Sequence, residues 1–290
     1  MPGRASLFPM IQFLFLLLGA SFLAAPSFAD EPYKGPIFDA HVHYSRTAWD
    51  EVPPDAVFRL FDGAGVRGAY ISSNPDDGTL TLADKAPDWL QIIPSFRPYR
   101  PGIAGSTTWW KVDDTLDYTR ARLALGHHGS IGEIHIPHPE LLDDPVVKTV
   151  VGIAAEKGWF LHPHADARVV KGLFALHPDV KIVWAHAGFF EEPELVSAMM
   201  DKHKNLWADL SYREGDVMGD DGVSIEWKRV FLRHPDRFMV GSDTWVPERW
   251  IGYRAILDEN RAWLGSLPRD VADKIAWKNA EALFGLKAPR

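Results

Sequence analysis

From residue 36 onward, short apolar runs alternate with amphipathic stretches. The runs that read as strands are "PIFDAHVH" (36–43), "RGAYISS" (67–73), "LQIIPSF" (90–96), "SIGEIHI" (130–136), "GWFLHPH" (158–164), "VKIVWAHAG" (180–188), "NLWADLSY" (205–212) and "DRFMVGSD" (236–243). Several are apolar on nearly every residue, as strands buried on both faces are. Helical patterns fall between them. The clearest is 144–157, where Pro145 suits a first turn, Val146, Val147, Val150, Val151 and Ala154 form a stripe, and Gly158 supplies a stop. The stretch 191–204 repeats the scheme with Leu195, Val196, Met199 and Met200. Less regular helices fit 53–64, 114–126, 167–177 and 224–234, with a short one inside 76–89. After the last strand, 247–265 and 268–284 read as two helices, the second ending at Gly285. Eight strands alternating with helices predict a parallel sheet with right-handed crossovers. Eight is also the number that closes a barrel, so the expected fold is a single-domain (β/α)8, or TIM, barrel with an extra C-terminal helix. An open doubly wound sheet competes, but "HVHYSR" stands where its Gly-rich phosphate loop would follow the first strand.

The first 29 residues do not fit this alternation. Arg4, an apolar run over Ile11 to Ala25, and the small residues Ser27 and Ala29 describe a secretory leader cut after Ala29. The apolar run is short for a membrane span, so the expectation is release rather than anchoring. The folded part is then a single catalytic domain over 30–290, periplasmic or secreted. The net charge is −8, and Arg4 is the only charged side chain before Asp30. An acidic domain without a basic cluster is a poor partner for nucleic acid or for an anionic membrane surface. There is no cysteine. Disulfide staples, thiolate catalysis and thiolate metal sites are all excluded, and any metal must be held by histidine and carboxylate.

The chain has twelve histidines, and a barrel sorts them. Functional groups of such a barrel sit at the C-terminal ends of its strands. His127, His128, His177, His203 and His234 fall at helix ends, on the opposite face, where donors meet the last carbonyls. The other seven, His41, His43, His135, His138, His162, His164 and His186, fall at or just beyond strand ends. With Glu133 on the fourth strand and Asp243 at the end of the eighth, they are expected to converge on one mouth. Alternation in "FDAHVHYS" predicts that Asp39, His41 and His43 point into the barrel and that Phe38, Ala40 and Val42 point away. His162 and His164 share the same spacing, so both could face inward. Imidazole nitrogen and carboxylate oxygen, at about 2.0–2.2 Å from an ion, suit zinc.

The order HxH, Glu, His, His, Asp along these strands resembles the amidohydrolase superfamily, in particular its amidohydrolase family 2 branch. The stretches that carry the likeness are "FDAHVHYS", "IGEIHI", "FLHPHADA", "IVWAHAGF", "MVGSDTW" and "KNAEALFGL", spanning about 36–286. The resemblance implies a (β/α)8 barrel with one or two divalent ions, Zn2+ being favoured. It implies that His41, His43, His164, His186, Asp243 and Glu133 are metal ligands. His162 and His135 would then be outer contacts or alternative ligands. Asp243 would also shuttle protons, and His186 would be a ligand or an acid/base. Glu133 would either bridge two ions or accept from a histidine N–H.

The chemistry expected of such a site is metal-assisted attack of water on an ester, lactone or amide of a small molecule. Asp243 would take up the water's proton and pass it on. The same donors serve two alternatives: metal-dependent decarboxylation of a small carboxylic acid, and a barrel that binds metal or ligand without catalysis. Arg213 and Arg97, with Arg100 and Arg168, are candidate contacts for an anionic substrate group. Trp245, with Trp109 and Trp110, is a candidate pocket wall.

Overall fold

The protein is described by a computed structural model over residues 31–98, 106–220 and 222–288. The leader (1–29) and Arg100 lie outside the described residues. Eight parallel strands form: β1 Ile37–Val42, β2 Val66–Ile71, β3 Gln91–Pro94, β4 Ser130–His135, β5 Phe160–His164, β6 Lys181–Trp184, β7 Leu206–Asp209 and β8 Phe238–Met239. They pair in chain order as β1–β2–β3 and as β4–β5–β6–β7–β8. Two seams join these runs. At one, Phe96 N–H donates to Ser130 O (3.0 Å) and Gly132 N–H to Phe96 O (2.8 Å). At the other, Ala40 N–H donates to Val240 O (2.9 Å). The fold is the expected (β/α)8 barrel. Among the described residues, no helix is long and apolar enough to cross a membrane.

The helices follow the apolar stripes closely. Asp144 caps the helix Pro145–Lys157, accepting from Val146 N–H (2.8 Å) and Val147 N–H (3.2 Å), and Gly158 ends it at φ 63°. His177, His203 and His234 are the C-caps of three helices. His128 differs: it enters a buried pair with Asp76 (3.1 Å), which Arg122 also holds (2.7 Å). The stretch 247–265 is broken at Gly252 into Pro247–Ile251 and Tyr253–Gly265.

Two cores flank the strands. The larger lies between the barrel and its helices. The inner one gathers Phe38 and Ala40 of β1, Tyr70 of β2, Ile93 of β3, Phe160 of β5, Val183 of β6, Trp207 of β7 and Met239 of β8. Only the interior of a closed barrel lets seven strands share one cluster. Its floor is the C-terminal segment, helical over Arg269–Asp273 and Asn279–Phe284 with a π-turn at Lys274–Lys278. Phe284 packs on Phe38 and Phe160 (ring centroids 5.5 and 5.1 Å), and Trp277 meets Phe38 edge-on. The Asn279 amide donates to Pro235 O (2.9 Å) and Phe238 O (2.8 Å), tying the floor to β8.

The side-chain parity expected for β1 needs correction. Phe38 and Ala40 point into the barrel, whereas Asp39 points out. Asp39 accepts from the Tyr253 hydroxyl (2.8 Å) on an outer helix and from Ser242 N–H (2.9 Å). Pairing with β2 is irregular between Asp39 and Val42. Such an irregularity shifts the two-residue period by one, so His41 and His43 enter the interior above Ala40 while Val42 packs outward.

Strands six to eight are also shorter than the apolar runs suggest. They stop at Trp184, Asp209 and Met239. Beyond them, His186, Ala187, Phe189, Tyr212 and Asp243 take φ of 55°, 47°, 64°, 60° and 46°. Left-handed backbone at a non-glycine residue costs on the order of 1–3 kcal/mol, and such residues gather at functional sites. Such strain is offset by packing elsewhere in the fold, of which the floor is a part. Trp277→Ala should therefore lower stability by about 3–5 kcal/mol, as large-to-small changes in packed interiors do. Urea denaturation measures this; a loss under about 1 kcal/mol would show that the barrel does not lean on its floor.

Candidate metal centre

At the C-terminal mouth the barrel opens into a cavity of about 660 Å³. Its base is built from histidines and carboxylates in two groups. In the first, His41 Nε2 and His43 Nε2 lie 3.0 Å apart. Asp243 Oδ1 is 3.7 and 3.2 Å from them, and Glu133 Oε2 is also 3.7 and 3.2 Å away. In the second, Glu133 Oε1 is 2.8 Å from His164 Nδ1 and 3.4 Å from His186 Nε2, and those nitrogens are 3.2 Å apart. Glu133 thus offers one carboxylate oxygen to each group.

The outer nitrogens decide which inner ones are free. His186 Nδ1–H donates to Ser211 O (3.0 Å), His41 Nδ1–H to Asp209 (3.2 Å to each oxygen), and His43 Nδ1–H to Ser72 O. A neutral imidazole carries one N–H, so Nε2 of all three turns a lone pair inward. Two lone pairs 3.0 Å apart, in a site where His41 and His43 are fully buried, repel unless a proton or a metal ion stands between them. The charges ask for the same thing. Burial pushes against charge on His41, yet Asp209, Asp243 and Glu133 override it and hold its pKa well above the ordinary value. Burial likewise pushes Asp243 up, and His41 and His43 override it and hold its carboxyl below the usual range. A divalent ion fits this donor set, replacing the protons that the carboxylates would otherwise recruit.

The remaining histidines divide. His162 is fully buried below the cavity and its Nε2–H donates to Asp209 Oδ2 (2.9 Å). Burial pushes its pKa down to about 4, with repulsion from His41 adding to it, so it is neutral. His135 lines the cavity, stacked on His164 (centroids 4.2 Å apart), with Nε2 3.6 Å from Glu133 Oε2. His138 does not join them: β4 ends at His135, the chain turns into the short helix Pro139–Asp143, and His138 is exposed. Six histidines converge, not seven.

Arg97 and Trp245 line the cavity. The Arg97 Nη2–H donates to Glu133 Oε2 (3.0 Å) and its Nε–H to Glu133 O (3.1 Å). Trp245 Nε1–H donates to the Tyr212 hydroxyl. Arg213 is a correction. Its guanidinium is buried away from the cavity, donates to Phe189 O (2.6 Å) and Glu191 O (2.9 Å), and lies over the Trp227 ring. It braces the loop after β6, because left-handed turns there leave carbonyls that need donors. Trp109 and Trp110 are buried in the outer core, and Arg168 is exposed beside Asp166. Asp209, Ser211, Tyr212 and Arg46 have no part in the expected site, yet all bear on it. The one available signal for Asp209 was an acid two residues after an inward Trp207, at a strand end.

A family profile described as Amidohydrolase matches residues 38–286. No curated protein sequence matches. Among solved structures, the chain is similar to a candidate 2-pyrone-4,6-dicarboxylic acid hydrolase from Pseudomonas putida, at 16% identity and TM-score 0.58, over 88% of this chain and 99% of that one. A corresponding protein from Acinetobacter baumannii, solved with citric acid bound, gives 13% and 0.56 over 86% and 99%. A TatD homolog from Escherichia coli K12 gives 13% and 0.55 over 87% and 98%.

Behind the cavity wall, Arg249 stacks on the Tyr212 ring (3.8 Å) and lies 3.8 Å from the half-buried Glu214 carboxylate. Burial pushes Glu214 up to about 7. Unfolded, it titrates near 4.3. Between about 4.3 and 7 the folded chain holds the extra proton, so stability falls as pH rises through that window. Glu214→Gln removes this dependence. From pH 5 to pH 8 the variant should gain on the order of 3 kcal/mol relative to wild type. Urea denaturation at the two pH values checks it, and parallel pH profiles would contradict it.

Proposed function

The chain belongs to the amidohydrolase family, and on that premise we propose that this metal-dependent hydrolase cleaves an ester, lactone or amide of a small anionic molecule with two divalent ions held at its barrel mouth. The observation that carries the two-ion reading is Glu133, with one oxygen at each histidine group. His41, His43 and Asp243 would hold one ion, His164 and His186 the other, and Glu133 both. Imidazole and carboxylate donors support zinc. When bound, the ions would supply Lewis acidity and lower the pKa of water toward about 7.

The chain's own groups do the rest. Asp243, on the cavity base, can accept a proton from the attacking water and return it to the leaving group. Arg97 holds Glu133 in place from the side away from His164. Tyr212 receives the Trp245 N–H, which leaves its own proton to point at a substrate oxygen. Phe189, Tyr212 and Trp245 make an aromatic flank. The exposed Arg46 guanidinium, which also lines the cavity, lies over Trp49 (5.1 Å), supporting a substrate with a carboxylate at one end. Residues 1–29 we propose as a cleaved export leader, on the sequence features of Arg4, the apolar run, Ser27 and Ala29.

Metal analysis of the purified protein should give two ions per chain, and Glu133→Gln should lose at least one. Both ions retained in that variant would overturn the role of Glu133 at the two groups. With a zinc-loaded preparation and a panel of carboxylated esters and lactones, Asp243→Asn should lower kcat/KM by about 10²–10⁴. On the same substrates Arg46→Ala should raise KM by about 10- to 100-fold with kcat little changed, the loss of a charge-assisted hydrogen bond. Unaltered KM would remove Arg46 from substrate binding.

A further inference from the structure

Beneath the two histidine groups lies a carboxylate that belongs to neither. Asp209, the last residue of β7, is fully buried. His41 Nδ1–H reaches it at 3.2 Å and His162 Nε2–H at 2.9 Å. Ser211 N–H (3.1 Å) and the Ser211 hydroxyl (2.5 Å) donate to its Oδ1. That hydroxyl proton is thereby committed, so the Ser211 oxygen faces His186 Nδ1–H, 2.9 Å away, as an acceptor. The Ser211 carbonyl takes the same N–H at 3.0 Å. A continuous path of donors therefore runs from His186 through Ser211 to Asp209, and a direct bond runs from His41.

We propose that Asp209 is a positioning residue shared by both ion groups, fixing the inward nitrogen of His41 directly and that of His186 through Ser211. The proposal rests on the metal reading above. A carboxylate on the outer N–H of a ligating histidine fixes its tautomer and ring angle and makes the inner nitrogen a better donor. Here one carboxylate does so for a histidine of each group. The packing holds it there. A Cβ on Gly241 would lie 2.9 Å from His41 Cβ and 3.3 Å from Asp209 Oδ1, so the bare backbone at that position lets the pair close. His162, whose Nδ1 is buried without a hydrogen bond, spends its only N–H on Asp209.

The test is Zn2+ binding by the apoprotein, followed by competition with a chromophoric chelator, with Co2+ absorption spectra as a readout of ligand geometry. Wild type should bind two ions. Asp209→Asn should weaken both by about 10- to 100-fold and alter the Co2+ spectrum. Ser211→Ala removes a hydroxyl that touches Asp209, His186 Nδ1 and also His41 Nδ1 (3.1 Å), and should cause a smaller loss, felt most at the ion of the His186 group. An Asp209→Asn protein that is less stable to urea but binds both ions as wild type does would make Asp209 a packing residue and overturn the proposal. If that variant does not fold, wild-type affinity for both ions in Ser211→Ala overturns it instead. Wild-type protein that takes up no Zn2+ would overturn the metal reading itself, a result distinct from either.

Discussion

The structure depends on holding together groups that repel. Imidazole lone pairs of His41, His43 and His186 and the carboxylates of Glu133 and Asp243 face one another across 3.0 to 3.9 Å, shielded from water. In a low-dielectric mouth this arrangement is unfavourable without positive charge. Much of the surrounding architecture keeps those groups from relaxing apart. Each of the three histidines is pinned from behind by a backbone carbonyl or a buried acid. The ring nitrogens cannot swing away without breaking a buried hydrogen bond.

The backbone makes the same concession. The strands that carry His186 and Asp243 end early, and left-handed turns raise these side chains into the mouth rather than along the wall. Strained turns persist only where the surroundings over-determine them. Arg213 on the carbonyls of Phe189 and Glu191 is part of that support. An arginine that sequence position suggests for substrate is thus used to brace a loop. The exposed Arg46 lines the cavity instead.

Much of the fold was legible in the chain because burial on both faces of a parallel strand leaves a plain record of apolar runs. Asp144, Pro145 and Gly158 bounded their helix for the same local reasons that made them recognisable. The site was legible in part. His41, His43, His164, His186, Glu133 and Asp243 stand at strand ends, and the structure brings all six together. His138 also stands just past a strand end, but where the chain turns after β4 is a tertiary matter, and it faces solvent.

The sequence by itself determined the order of elements, the closure number of the barrel and the residue types available to a metal, since these follow from local periodicity and composition. Only the tertiary structure decided three things. The irregularity between Asp39 and Val42 reversed the parity of β1 and sent Asp39 outward to Tyr253. Which nitrogen of each histidine faces inward was set by partners from other strands, Ser72, Asp209 and Ser211. The direction of Arg213 was set by carbonyls released in a turn more than twenty residues earlier. Each depends on contacts between segments distant in the chain, and a period of two or 3.6 residues carries no record of them.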